Sequence, residues 1–244
     1  MSKKSDERAA RTSALLAEQK RAERRRRVLA VGAVVAVLAV VLGVGLFVQA
    51  NRDSTGDAPS ATPSGVTDAY SIFVGDESAP TTITVYEDLQ CPVCQSLEQA
   101  TGDEVNQAIA DGKVRVEYRM VSFLDDASSN EYSSRALNAA LVVLDTAGVD
   151  TFKEFHDELF ANQPAEGGAG PDDAALIDAA VAAGADEQAV SDPIEDKAFA
   201  QWISNATDQM SQDGVNGTPT VEIDGERVEG SVQDSIDAVL AATE

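Results

Sequence analysis

Residues 28–48, VLAVGAVVAVLAVVLGVGLFV, run for 21 positions without a charge or a proline. At 1.5 Å per residue a helix of that length spans about 30 Å, the thickness of a bilayer's hydrocarbon core, so the segment is expected to be a transmembrane helix. Arg24–Arg27 press against its N-terminal end, whereas QANRDSTGD follows it. The positive-inside rule then leaves residues 1–27 as a basic tail in the cytoplasm and puts everything after residue 48 outside, in a single-pass protein of the cell membrane. A cleaved signal peptide, with Val48 and Ala50 as small residues before the cut, is the competing reading; the length of the apolar run and of the basic segment favours an uncleaved anchor. Under both readings the remainder of the chain is extracytoplasmic, where disulfides persist.

Charge follows the same division. Residues 1–27 hold ten of the 18 basic side chains and four of the 42 acidic ones, which leaves eight bases against 38 acids in the rest. Such a surface repels phosphates, so nucleic acid is not an expected partner. Residues 49–68, small, polar and broken by prolines, have linker composition.

From residue 69 onward the pattern is that of one α/β domain. AYSIFV (69–74) and TTITVYEDL (81–89) read as strands, Pro92 to Ala110 as a helix stopped by Asp111-Gly112, and KVRVEYRMVSF (113–123) as a further strand. Helical patterns follow over 127–147, 151–161, 171–184 and 193–211, broken at NQPAEGGAGP and near Pro193. TPTVEIDG and ERVEG then form a hairpin turning at Asp224-Gly225, and a closing helix begins behind Ser231 as its N-cap. A strand–helix–strand opening implies a parallel pair with a right-handed crossover, to which the late hairpin adds antiparallel edge strands. The helical stretch, about 125–211, is an insertion into that sandwich.

Both cysteines of the chain, Cys91 and Cys94, lie in YEDLQCPVCQS, where a strand ends and a helix begins. Pro92 suits the first helical turn, so the sulfur of Cys91 faces unpaired backbone N–H groups and the positive end of the helix dipole, which favour thiolate. Cys94, one turn inside the helix, is expected to be less exposed and to stay protonated. One sulfur attacks and the other resolves. As a mere staple the pair would close a four-residue loop worth only about 2 kcal/mol, against nearly 5 for a loop of about a hundred residues. Zinc would need ligands that a chain with one histidine and no further cysteine does not offer, and haem attachment would need histidine where Gln95 stands. No metal and no cofactor is expected.

A second motif, VNGTPTVEIDG, places Pro219 at the start of a strand about 125 residues after the thiols. Together with EDLQCPVC and the intervening helices it makes residues 69–244 resemble the DsbA-like thiol–disulfide oxidoreductases of the thioredoxin superfamily. The resemblance implies a thioredoxin-like fold with a helical insertion, preceded here by the single transmembrane helix. It implies a cis peptide between Thr218 and Pro219, with Gly217, Thr218 and Pro219 forming the loop that pairs with substrate main chain. Two positions depart from the family pattern. A buried acid commonly sits six residues before the first cysteine, where this chain has Val85; Glu87 and Asp88 are nearer, on opposite faces of the strand. Val93 stands where strongly oxidising relatives carry histidine, so a weaker oxidant than those relatives is expected.

The resulting expectation is a membrane-tethered enzyme with Cys91 and Cys94 as its redox pair, flanked by Pro92, Val93, Glu87 and Asp88. It would donate disulfides to cysteine-containing exported proteins through transient mixed disulfides and be reoxidised by a membrane quinone-linked partner. A reductase fed by a reducing electron carrier, for instance in cytochrome assembly, and a peptide-binding or chaperone module remain as alternatives. His156, in FKEFHDELF, is expected on a partly exposed helix face, and Phe199 and Trp202 in the core of the insertion.

Overall fold

The computed structural model describes residues 58–244. The expected membrane segment, the basic tail and most of the linker lie outside these residues, and among those described no helix is long and apolar enough to cross a membrane.

Five strands form one sheet: β1 (Ile72–Val74), β2 (Thr81–Glu87), β3 (Val114–Met120), β4 (Thr220–Ile223) and β5 (Glu226–Arg227), in the order β1-β3-β2-β4-β5. β2 and β3 are parallel, with Val85 opposite Tyr118 and Glu87 opposite Met120. The other three pairings are antiparallel. The crossover between the parallel pair is α1 (Pro92–Ala110), and α7 (Val232–Thr243) lies alongside α1. Between β3 and β4 come a short 3₁₀ turn, Asp125–Ala127, and α2 (Tyr132–Ala147), α3 (Val149–Ala161), α4 (Asp173–Ala182), α5 (Glu187–Glu195) and α6 (Ala200–Gln212). This is a thioredoxin-like α/β fold with a helical insertion.

Central position explains the composition of β2. Its last five residues are all buried because both faces are covered. Ile83, Val85 and Glu87 point to one side and Thr84 and Tyr86 to the other. On the second side Tyr86 meets Val121, Met210 and Val215 in a small cluster of its own. β3, by contrast, alternates strictly, with Val114, Val116, Tyr118 and Met120 buried.

The two-residue turn at Asp224-Gly225 has positive φ at both positions (51° and 82°), the conformation a tight hairpin demands. Ser231 caps α7 in a reciprocal box with Asp234.

Three expectations are corrected. The helix expected from residue 127 begins at Tyr132, because polar side chains of the preceding loop bond the backbone instead: Ser128 Oγ accepts from Tyr132 N at 3.0 Å and Asp125 Oδ1 from Ser134 N at 2.8 Å. In place of the helix expected over 193–211 behind a break near Pro193 there are two, Glu187–Glu195 with that proline inside it and Ala200–Gln212. Proline is accommodated near the end of a helix of nine residues, where Asn138 Nδ2 reaches the carbonyls of Pro193 and Ile194 at 3.2 and 3.3 Å. The strands are also shorter than their patterns: β1 starts at Ile72, β2 stops at Glu87 and β3 stops at Met120.

β2 stops where it does because Asp88 turns away from the ladder. Its buried carboxylate accepts from Gln90 N at 2.8 Å, Leu124 N at 2.9 Å and Ser133 Oγ at 2.6 Å. One side chain thereby ties the β2–α1 corner to the β3–α2 loop and to α2. Removing it would orphan three donors at about 1–3 kcal/mol each. Asp88→Ala is therefore expected to lower the unfolding free energy by more than about 3 kcal/mol in urea denaturation, whereas a loss under about 1 kcal/mol would show that the corner is held by other means.

Candidate active site

The site is built at the end of the sheet where β2 hands over to α1. Cys91 is the N-cap of α1, in extended backbone conformation, with Pro92 as the first helical residue. Its main chain is held from both sides: Cys91 N donates to Asp88 O at 3.0 Å, and its carbonyl accepts from Gln95 N at 3.1 Å and from Gln163 Nε2 at 3.0 Å. Gln163 belongs to the loop after α3, and Gln90 Nε2 reaches Ala165 O and Gly168 O of that loop, each at 3.3 Å. The insertion is thus strapped onto the segment that carries the thiols.

The two sulfurs have opposite surroundings. Both cysteines are free thiols here. Cys91 is mostly shielded and Cys94 wholly buried, at 6% and 0% exposure, while Pro92 and Val93 between them face solvent. Hydrogen bonding from the Cys94 thiol is the largest influence on Cys91; burial opposes it, but the Thr218 side chain and the amides of Cys94 and Val93 add to it, and the Cys91 pKa falls to about 6. That lies below the value of about 7 for thioredoxin and above the 3.5 or so of the strongest oxidants, in keeping with Val93 where those oxidants have histidine. The Cys94 thiol moves the other way, well above the ordinary range, through burial first, then the hydrogen bond it gives to Cys91, then the charges of Cys91 and Glu87.

The second motif arrives from across the sheet. β4 pairs with β2 so that Thr220 faces Tyr86, which brings the preceding loop to the thiols. The Thr218–Pro219 peptide is cis. In the thiol form Cys91 Sγ donates to the Thr218 carbonyl at 3.4 Å, and Gly217 O accepts from Thr220 Oγ1 at 2.9 Å. Cys91, Cys94 and the Gly217–Pro219 loop therefore meet, with Val93 at 41% exposure beside them.

Glu87 and Asp88 part company. Asp88 serves the backbone corner described above, and burial raises its pKa against the hydrogen bonds from Ser133, Gln90 and Leu124. Glu87, fully buried, points to the same side of β2 as Val85, one pleat nearer the strand end, and acts on Cys94. The acid is displaced along the strand by two residues, and period two keeps it on the same face.

His156 is corrected outright. It is fully buried rather than partly exposed, with Nε2 2.7 Å from Glu87 Oε1 and Nδ1 3.1 Å from Asp157 Oδ1. Tyr118, Phe152 and Phe160 surround its ring. Burial alone would lower its pKa, yet the charge of Glu87 and the hydrogen bonds to Asp157 and Glu87 prevail and raise it to about 9. The ring is thus an imidazolium at neutral pH, donating from both nitrogens. Glu98, on α1 one turn beyond Cys94, completes the group: single donor atoms of Glu87, Glu98 and His156 lie within 4.8 Å of one another. The direct hydrogen bond between His156 and Glu87 makes this a network of ionisable groups. Phe152, Phe155, His156, Leu159 and Phe160 all fall on the buried stripe of α3, and that periodicity was the signal available for the histidine.

Comparison with known proteins agrees with this geometry. Residues 67–241 match the family model described as thioredoxin. Among solved structures, the reduced disulfide bond oxidoreductase DsbG of Mycobacterium tuberculosis is similar at 32% identity and a TM-score of 0.59, covering 71% of this chain and 94% of that one. DsbA of the same organism matches at 30% identity and 0.59, over 72% of this chain and 100% of that one. The thiol–disulfide oxidoreductase MdbA of Corynebacterium diphtheriae matches at 25% and 0.60, over 75% and 96%. Among curated proteins, 157 residues are 34% identical to part of the serine/threonine-protein kinase PknE of M. tuberculosis, and 169 residues are 30% identical to part of the Na(+)/H(+) antiporter NhaA 1 of Salinispora arenicola. The matched stretches span only 28% and 23% of those two proteins.

A folded-state pKa below the unfolded one makes Cys91 a source of stability that is complete above about pH 8.5 and is lost as pH falls through 6. Only the dithiol form has this group, so the reduced protein should gain stability relative to the oxidised one between pH 6 and 8.5. Iodoacetamide is expected to alkylate Cys91 with a midpoint near pH 6 while sparing Cys94. A single midpoint at 8.5 or above, or equal labelling of both residues, would contradict the assignment.

Proposed function

This chain belongs to the thioredoxin family, and on that premise we propose that it is a thiol–disulfide oxidoreductase of DsbA type, tethered to the membrane by residues 28–48, that donates disulfides to exported proteins. The observation that carries the reading is the contrast between the sulfurs, Cys91 favoured as thiolate and Cys94 held as thiol. The similarity to DsbG and DsbA at 30% identity or more supports the same chemistry.

In the donating direction a substrate thiolate attacks Cys91 Sγ of the Cys91–Cys94 disulfide. The old S–S bond breaks, its electron pair goes to Cys94 Sγ, and that sulfur takes up a proton. A mixed disulfide now joins substrate to Cys91. The substrate's second thiolate attacks its own bonded sulfur, and Cys91 leaves as a thiolate stabilised by the Cys94 hydrogen bond and the amides heading α1. The substrate has lost two electrons and the enzyme has gained them. The loop Gly217–Pro219, beside Cys91, is placed to pair with substrate backbone, and exposed Val93 offers it an apolar contact. A quinone-linked membrane partner would take the electrons onward, and tethering raises the effective concentration of that encounter.

The reading is tested with the oxidised protein and reduced, denatured ribonuclease. The oxidised form should restore ribonuclease activity stoichiometrically, Cys91→Ser should abolish transfer, and Cys94→Ser should accumulate a mixed disulfide through Cys91. Reduction of insulin without ribonuclease recovery would instead establish a reductase, and indifference to Cys91→Ser a binding module. For the tether, the full chain should sediment with membranes, and a chain starting at residue 58 should not.

A further inference from the structure

The chain has one histidine, His156, and the fold sets it among carboxylates supplied by other elements. Glu87 comes from the end of β2, Glu98 from α1 and His156 from α3, and one donor atom of each lies within 4.8 Å of the other two. Glu87 and His156 are fully buried and Glu98 is half-buried. Glu87 offers this group more than its hydrogen bond uses. Its Oε1 is 2.7 Å from His156 Nε2, while Oε2, equally removed from solvent, has no partner. A charged oxygen buried without a donor costs at least about 1–3 kcal/mol, and a cation supplies what it lacks. Counting cysteines and histidines in the sequence finds no zinc set, because the carboxylates that complete one are brought together only by the fold.

We propose that Glu87, Glu98 and His156 form a binding site for one zinc ion, with water as its fourth ligand. Zinc takes imidazole nitrogen and carboxylate oxygen at about 2.0–2.2 Å in a tetrahedron, which sets neighbouring donors roughly 3.3 Å apart. The hydrogen-bonded pair starts at 2.7 Å and no donor of the group is more than 4.8 Å from another, so shifts on the order of an ångström bring them to that spacing. The ion takes the place of the His156 Nε2 proton, which leaves to solvent.

The surroundings fit a ligating histidine. Such a ring donates its other N–H to a carboxylate that fixes its orientation. Here Nδ1 is 3.1 Å from Asp157 Oδ1, and Asp157 is itself held by Lys153 Nζ at 2.6 and 2.7 Å. With the ion bound, the carboxylates of Glu87, Glu98 and Asp157 are balanced by zinc and the Lys153 ammonium, so no net charge is buried. An entry path exists as well: Glu98 and Asp157 both line a cleft of about 200 Å³ between α1 and α3. Calcium and magnesium want six or more oxygen ligands, whereas this group offers one nitrogen and two carboxylates beside the rings of Tyr118 and Phe160. The ligands come from the central strand, the crossover helix and the insertion. A bound ion therefore clasps the insertion to the sheet, and its binding free energy adds to the stability of the folded state. The site does not depend on disulfide exchange.

Zinc also binds thiolates, so the test uses the full, untagged chain with Cys91 and Cys94 joined as a disulfide. Titration calorimetry with zinc chloride should give one ion per chain, and magnesium and calcium chlorides should give none at the same concentrations. Zinc K-edge absorption should show an imidazole nitrogen and carboxylate oxygens at about 2.0–2.2 Å. With a single histidine in the chain, that imidazole can come only from His156. Loss of an outer-shell partner already weakens metal sites about 10–100-fold, so Glu98→Gln, which removes a ligand, should weaken zinc binding at least about tenfold. It should also abolish the zinc-induced rise in melting temperature that the parent shows. Glu98→His should restore binding and put two imidazoles in the zinc shell. Absence of zinc binding, a shell without imidazole, or an affinity in folded Glu98→Gln equal to the parent's would overturn the proposal. Should Glu98→Gln not fold, the absorption spectrum of the parent decides alone.

Discussion

A negative charge on one sulfur at the head of α1 is the interaction around which the rest of the site is organised. Stabilising it takes donors that do not move away. The amides of Val93 and Cys94 are fixed by the helix, and the helix is fixed by proline at its first position and by the Asp88 corner beneath it. The Cys94 thiol can donate only while it keeps its proton. Burial and the carboxylate of Glu87 ensure that it does. What is favourable for Cys91 is thus obtained by making Cys94 a poor acid, and the chemistry of closing the disulfide must then find a way to remove that proton.

The fold separates these two demands in space. The Cys91 sulfur, the cis-proline loop and exposed Val93 lie together at one end of the sheet. Glu87, His156 and Glu98 lie behind, between the sheet, α1 and α3. β2 serves both sides through its alternation: Val85 and Glu87 face the buried acid cluster while Tyr86 faces α6. Displacing the acid from position 85 to position 87 keeps it on the correct face, brings it nearer to the strand end, and places it within reach of a histidine supplied by the insertion. The helical insertion therefore supplies the partner of Glu87 as well as a wall beside the two thiols.

Features set by local chemistry could be read from the sequence. The Cys-Pro-Val-Cys turn, the proline that starts α1, the Asp224-Gly225 hairpin and the Ser231 cap each depend on neighbours within a few residues, and each stands where the pattern put it. The second motif, Gly217–Pro219, was legible by resemblance, and its cis peptide is found. Features that depend on what folds against what were not legible. His156 looks polar in isolation, and only the docking of α3 on β2 shows that its partner is Glu87. α5 was missed because Pro193 reads as a breaker, whereas it stands in the last turn of a nine-residue helix whose terminal carbonyls are met by Asn138, distant in sequence. Asp88 and Glu87 are adjacent in the chain, and nothing local announces that one holds a corner and the other faces a thiol.

The balance between the two sulfurs has a thermodynamic expression that no single residue can imitate, the equilibrium between the dithiol and the disulfide. Equilibration of the domain with glutathione redox buffers at pH 7, with the two forms separated after alkylation, measures it directly. A Cys91 thiolate of intermediate acidity predicts a potential between about −270 mV, the value for thioredoxin, and about −120 mV, that of the strongest DsbA-type oxidant. A potential at or below thioredoxin's would mean that the reduced form gains nothing from its anionic sulfur, and would contradict the account.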